Sequence, residues 1–91
     1  MTTIIDNPDR HRFEMQVEGQ IAFVNYRREP GVVTLTHAEV PRPLEGRGIG
    51  GQLVAATLDA LRAEGVKVIP RCSFVAAYLR RHAAHYADMV A

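Results

Sequence analysis

Tryptophan is absent from the sequence, cysteine occurs once, and no apolar run is long enough to span a bilayer or to form a signal peptide. A lone cysteine excludes an internal disulfide, so the fold has to rest on its apolar core, and the chain reads as suited to a reduced, cytoplasmic setting. A surplus of either charge is also missing, since 11 lysines and arginines face 10 aspartates and glutamates. That balance argues against a nucleic-acid binder or a membrane-surface binder, and an anionic ligand has to be met by a local arrangement instead. Internal repeats and low-complexity segments are lacking too. The 91 residues suffice for one small domain over residues 1–91, with a core that leaves little to spare.

What is present is a glycine-rich stretch from Val40 to Gly51, V-P-R-P-L-E-G-R-G-I-G-G, between a β-branched segment and an Ala/Leu-rich one. The first reads as a strand and the second as a helix. Glycines between them let the backbone take positive φ and let a ligand approach bare N–H groups. The first amides of the helix have no internal partner and lie at the positive end of its dipole, which suits a phosphate. A tight turn without a ligand is an equally good reading of the glycines alone. A phosphate loop of the Walker type needs Lys-Ser or Lys-Thr after its last glycine, where Gly51-Gln52 stands here. A dinucleotide-binding unit needs a longer α/β domain than this chain supplies.

Taken in order, Asp6-Asn7-Pro8-Asp9 reads as a turn cluster leading into a first strand, Phe13 to Val17. Glu18-Gly19 makes a tight connection to a second strand, Gln20 to Arg28, and Glu29-Pro30-Gly31 turns into a third, Val32 to Val40. In that third strand the alternation groups Val33, Leu35, His37 and Glu39 on one face. Pro41 and Pro43 stop further pairing, leaving peptide groups free. A helix from about Gly50 to Glu64 ends at Gly65, and Val66 to Pro70 forms a short strand parallel to the third. Ser73 caps a last helix, Phe74 to His82, and Ala83 to Ala91 reads as a short helical or irregular extension. The fold class is therefore α+β, a mixed sheet with three antiparallel strands, a central helix, a parallel strand and a C-terminal helix.

Glu45-Gly46-Arg47-Gly48-Ile49-Gly50 resembles the acyl-CoA loop of the GNAT (GCN5-related) acetyltransferases, Gln/Arg-x-x-Gly-x-Gly/Ala, with Gly48 and Gly50 in register. Glu45 departs from the pattern, and Arg47 stands ready to supply the positive charge instead. His37-x-Glu39-Val40-Pro41 and Ile69-Pro70-x-Cys72-Ser73-Phe74-Val75, taken with the loop, resemble a subgroup of very small GNAT-like proteins, over about residues 13–82. The resemblance implies that the two parallel strands splay after Val40 and near Pro70 to admit the pantetheine arm of acetyl-CoA. It further implies a pyrophosphate held by Glu45, Gly46, Arg47, Gly48, Ile49, Gly50 and Gly51, with Val40 pairing to pantetheine.

Larger members carry a further strand pair and a catalytic tyrosine. Here the tyrosine position falls on Arg80 and Tyr78 points elsewhere, so the acceptor pocket lacks a wall, which suits a bulky acceptor or a homodimer that completes it. Cys72, where a parallel strand ends and a helix begins, is a candidate nucleophile, although a buried cysteine is more often a small apolar residue. His37 and Glu39 are candidate bases; the other reading is a hydrogen-bonded histidine packed under the last helix for His37 and a solvated strand-end charge for Glu39. Arg80 and Arg81 reach an adenosine phosphate or merely solvate a helix end. His82 and His85 make too sparse a set for a metal, and none is expected. The expected function is transfer of an acetyl group from acetyl-CoA to an amine of a small molecule or protein. The other reading is an acyl-CoA-binding or CoA-sensing module with little or no catalysis.

Overall fold

The computed structural model describes residues 3–91, and Met1 and Thr2 lie outside them. β1 (Ile5–Asn7), β2 (Arg12–Val17), β3 (Gln20–Glu29) and β4 (Val32–Glu39) form an antiparallel run, after which come α1 (Ile49–Glu64), β5 (Lys67–Pro70), α2 (Ser73–Arg81) and α3 (Ala83–Tyr86). The sheet order is β1-β2-β3-β4-β5, with β4 and β5 parallel. This is the α+β mixed sheet expected, with one strand more. β1 escapes the sequence reading because three residues before Pro8 are too few to show alternation, and they are read as part of the turn.

Alternation builds the core. Phe13 and Met15 on β2 and Ala22, Val24 and Tyr26 on β3 are buried, with Glu14, Phe23 and Asn25 between them turned to the other face. The two-residue turn Glu18-Gly19 has φ of 50° and 78°, the left-handed pair that matches the twist of a hairpin. α1 lays Ile49, Leu53, Val54, Thr57, Leu58 and Leu61 on this side of the sheet. Each fully buried Leu or Val there contributes about 1.5–3 kcal/mol. Gly65 ends the helix as expected, its N–H donating to Arg62 O at 3.0 Å.

The third strand differs from the sequence reading in one respect that matters. β3 and β4 pair from Glu29↔Val32 to Tyr26↔Leu35 and then continue as Asn25↔His37 to Phe23↔Glu39, so Thr36 has no partner across the ladder. One extra residue reverses the alternation. Leu35 sits opposite Tyr26 and Ala38 opposite Val24, both on the α1 side. His37 and Glu39, expected on the face of Val33 and Leu35, lie on the other face.

The parallel pairing of β4 with β5 ends at Leu35↔Pro70, earlier than the splay after Val40 that was expected. The chain turns away there, and Leu35 O accepts from both Arg71 N and Cys72 N at 3.0 Å. β4 runs on from Thr36 to Glu39 with β3 on one side and, among the described residues, no strand on the other.

The C-terminal segment closes the outer edge of β5. Ala91 N donates to Val68 O at 2.9 Å, and Val90 bridges Val68 in parallel. Arg62 pins the segment through Asp88 at 2.8 Å and His85 O at 2.6 Å. Tyr86 donates its hydroxyl to Asp59 at 2.9 Å, and burial together with that bond pushes its pKa up to about 12. Among the described residues no helix is long and apolar enough to cross a membrane.

Candidate functional site

Pro41 turns the chain out of β4 into a short 3-10 turn, Arg42–Leu44, and Leu44 anchors it in the core. Pro43 at its second position suits such a turn, because the N–H it lacks has no partner within the turn to lose. The loop then needs left-handed backbone twice, at Gly46 (φ 79°) and Gly48 (φ 74°), and a Cβ at either would meet nothing within 4 Å. Gly48 is the N-cap of α1 and offers no side chain, so no side-chain bond caps the helix. The first amides of a 16-residue helix thus open into free space.

That space is a groove of about 540 Å³. Val40, Glu45, Gly46, Gly48, Gly50 and Gly51 line one wall. Phe74, Tyr78, Arg81 and His82 line the other, a stripe along α2 at i, i+4, i+7 and i+8. Gly50 lets the Phe74 ring approach closely, since a Cβ there would stand 2.7 Å from it. The Tyr78 and His82 rings lie 4.2 Å apart, centroid to centroid, tilted by 32°. Gly50→Ala is expected to displace the Phe74 ring. Its helix-propensity gain of up to ~1 kcal/mol offsets part of the strain, so thermal unfolding should move little.

Of the loop residues singled out in the sequence, Val40, Glu45, Gly46, Gly48, Ile49, Gly50 and Gly51 all border the groove. Arg47 does not line it. Its guanidinium pairs with Glu18 in the β2–β3 turn and holds that carboxyl below its ordinary value. The positive charge of the loop is therefore turned toward the hairpin, and the groove's cations come from α2.

His37 and Glu39 come together, Nε2 to Oε1 at 3.3 Å, with side chains 56% and 60% exposed. Phe23 stands beside His37 with ring centroids 6.3 Å apart, and the Arg12 guanidinium lies 4.3 Å above the Phe23 ring. Arg12 donates to Glu14 at 2.6 Å, which holds that carboxyl below its usual range. These groups form a polar and aromatic patch on the face of β2, β3 and β4 opposite α1, with His37 and Glu39 its most exposed members.

Cys72 occupies the N-cap position of α2, and Ser73, expected to cap the helix, is its first residue. The cause is the Cys72 backbone, whose N–H is taken by Leu35 O while its C=O accepts from Ala76 N at 2.9 Å. Cys72 is 8% exposed, packs in the core cluster and does not line the groove. Backbone contact with Leu35 brings it beside β4 at the point where the free edge starts, two residues before His37. His82 lies in the groove while His85 packs on Tyr86 at 4.7 Å, so the two do not converge. Among the described residues no three His, Cys, Asp or Glu side chains gather as a metal site.

Phe74, Tyr78 and His82 were not singled out as groove residues from sequence. The apolar and basic periodicity of α2 was the available signal, but it reads first as a core stripe with a solvated end. Tyr78, expected to point elsewhere, faces the groove.

No curated protein matches the chain. The family model described as GCN5-related N-acetyl-transferase matches residues 12–89, which takes in the sheet from β2 onward, the glycine loop, both walls of the groove and α3. A mixed sheet whose parallel pair parts beside a glycine loop, with almost the whole chain inside that match, places this protein in the GCN5-related N-acetyltransferase family.

Proposed function

We propose that the chain is an acetyl-CoA-dependent N-acetyltransferase acting on an amine. The observation that carries this reading is the uncapped start of α1, which opens into a groove beside the unpaired edge of β4. The residues present fit the co-substrate: the space beside Gly46 and Gly48 is empty out to 4 Å, and bare first-turn amides face an anion there. Amides of Gly48 to Gly51 would hold a diphosphate, and the free edge near Val40 would pair with the amides of pantetheine. Acetyl-CoA, when bound, supplies the acyl group activated as a thioester.

The protein's part is orientation, charge and proton transfer. An N–H near Val40 stabilises the charge that develops on the acyl oxygen as nitrogen bonds to the acyl carbon and the carbon–sulfur bond breaks. Only a neutral amine is nucleophilic, so His37, exposed and with Glu39 against its ring, accepts the ammonium proton. Cys72 assists from the strand–helix junction, either by taking the acyl group or by orienting the acceptor. A second reading, a CoA-binding module with little transfer, draws support from one observation: Cys72, His37 and Glu39 are all absent from the groove lining.

Release of free CoA thiol from acetyl-CoA, followed with a panel of amines and alongside intact-mass analysis, separates the readings. Turnover that drops in Cys72→Ala while CoA affinity holds supports the enzyme and the thiol's part in it. Unchanged turnover in that variant removes Cys72 from the mechanism. Binding without turnover by any amine favours the module.

A further inference from the structure

The groove has a direction. α2 starts at Cys72, beside Leu35 where β4 and β5 part, and runs along the groove to Arg81 and His82. Phe74 lies against Gly50 and Tyr78 against Gly51, with the Gly51 Cβ position 3.7 Å from the Tyr78 ring. Arg81 and His82 therefore lie three and four residues past Tyr78, about one helical turn or ~5.4 Å further along α2 and away from the strand gap.

An anion one turn past the diphosphate fits Arg81 in particular. Arg12, Arg28, Arg47 and Arg62 are each bound to a carboxylate. Arg81 is exposed and has no carboxylate partner among the described residues. Its neighbour Arg80 faces a different, apolar hollow with Leu79 and Ala83. The Tyr78 and His82 rings, in contact at 4.2 Å, form the groove wall beside the guanidinium. Arginine meets a phosphate dianion through two parallel N–H donors, a geometry that lysine or a lone histidine lacks.

Resting on the acyl-CoA reading of this groove, we propose that Arg81, with His82 beside it, binds the ribose 3′-phosphate. The site thereby selects CoA over carriers that share its diphosphate and pantetheine but lack that phosphate. Arg47, the cation inside the glycine loop, has no part in this selection.

Titration calorimetry with CoA and with 3′-dephospho-CoA tests it on the intact protein, in the wild type, Arg81→Gln and Arg80→Gln. The wild type should prefer CoA by about tenfold or more, the scale of a charge-assisted hydrogen bond at an exposed site. Arg81→Gln should abolish that preference while leaving dephospho-CoA affinity as it was, and Arg80→Gln should retain the preference. Equal binding of both ligands by the wild type, or a preference that survives Arg81→Gln, overturns the assignment and leaves the groove reading intact. Failure of both ligands to bind overturns the groove reading and the assignment with it.

Discussion

Gly48→Val should weaken CoA binding by about a hundredfold or more, because two N–H···phosphate bonds of ~1.5–3 kcal/mol each would be lost or misdirected. Gly48 sits at φ 74° as the N-cap of α1, and the space its Cβ would enter is open. A β-branched residue cannot hold that left-handed backbone without strain of ~1–2 kcal/mol, and its methyl groups would cover the amides that face the groove. Stability falls for the first reason and binding for the second, so the two need separating. Gly19→Val supplies the control, since Gly19 has φ 78°, equally open surroundings and a place in the β2–β3 turn outside the groove. Both variants should lose similar amounts of unfolding free energy in urea, and only Gly48→Val should lose CoA affinity. Intact CoA affinity in Gly48→Val would remove the ligand from the start of α1.

His37→Ala and Glu39→Gln should each lower kcat by about 10²-fold, the usual scale for loss of a general base or of the group that orients it, with KM for acetyl-CoA nearly unchanged. The pair is assembled by geometry that neither residue determines alone. Thr36 is the extra residue in β4, and without it His37 would face α1. Because both side chains are more than half exposed, truncating either should cost little stability. Double substitution should therefore cost little more in kcat than either single change, since they act as one unit. A combined loss equal to the product of the two single losses would mean that they act separately.

The parts of the fold that local chemistry determines were legible in the sequence. The strand, glycine loop and helix from Val32 to Gly65 follow from β-branching, two prolines, four glycines and an Ala/Leu-rich stripe, all within reach of neighbours in the chain. Lining of the groove by Val40, Glu45, Gly46, Gly48 and Gly50 follows the same logic. What could not be read depends on contacts between distant segments. Thr36 lies in the run Val-Val-Thr-Leu-Thr, where nothing local distinguishes a bulge from regular strand, and its effect was to move His37 and Glu39 to the opposite face. Arg47 is claimed by Glu18, 29 residues earlier, a pairing created only when the hairpin reaches the loop.

Two further differences have the same origin. Ser73 loses the cap position because Leu35 O binds Cys72 N and Arg71 N, pulling the helix start one residue earlier. The C-terminal residues, read as a short helical or irregular extension, are helical over Ala83–Tyr86, and where they dock comes from Arg62, Asp59 and Val68, none of which is local to them. Phe74 and Tyr78 were hidden in a helical stripe that reads as core. Their second role, facing the groove, appears only once α2 is set against Gly50 and Gly51.

Backbone amide shifts of the nitrogen-15-labelled protein, followed as CoA is added, test most directly whether the start of α1 is the ligand site. Perturbations should concentrate at Val40, from Glu45 to Gly51, and along Phe74, Tyr78, Arg81 and His82, while Gly19 and Gly65 stay in place. Shifts gathered anywhere else, or none at saturating CoA, would contradict a groove built on the glycine loop.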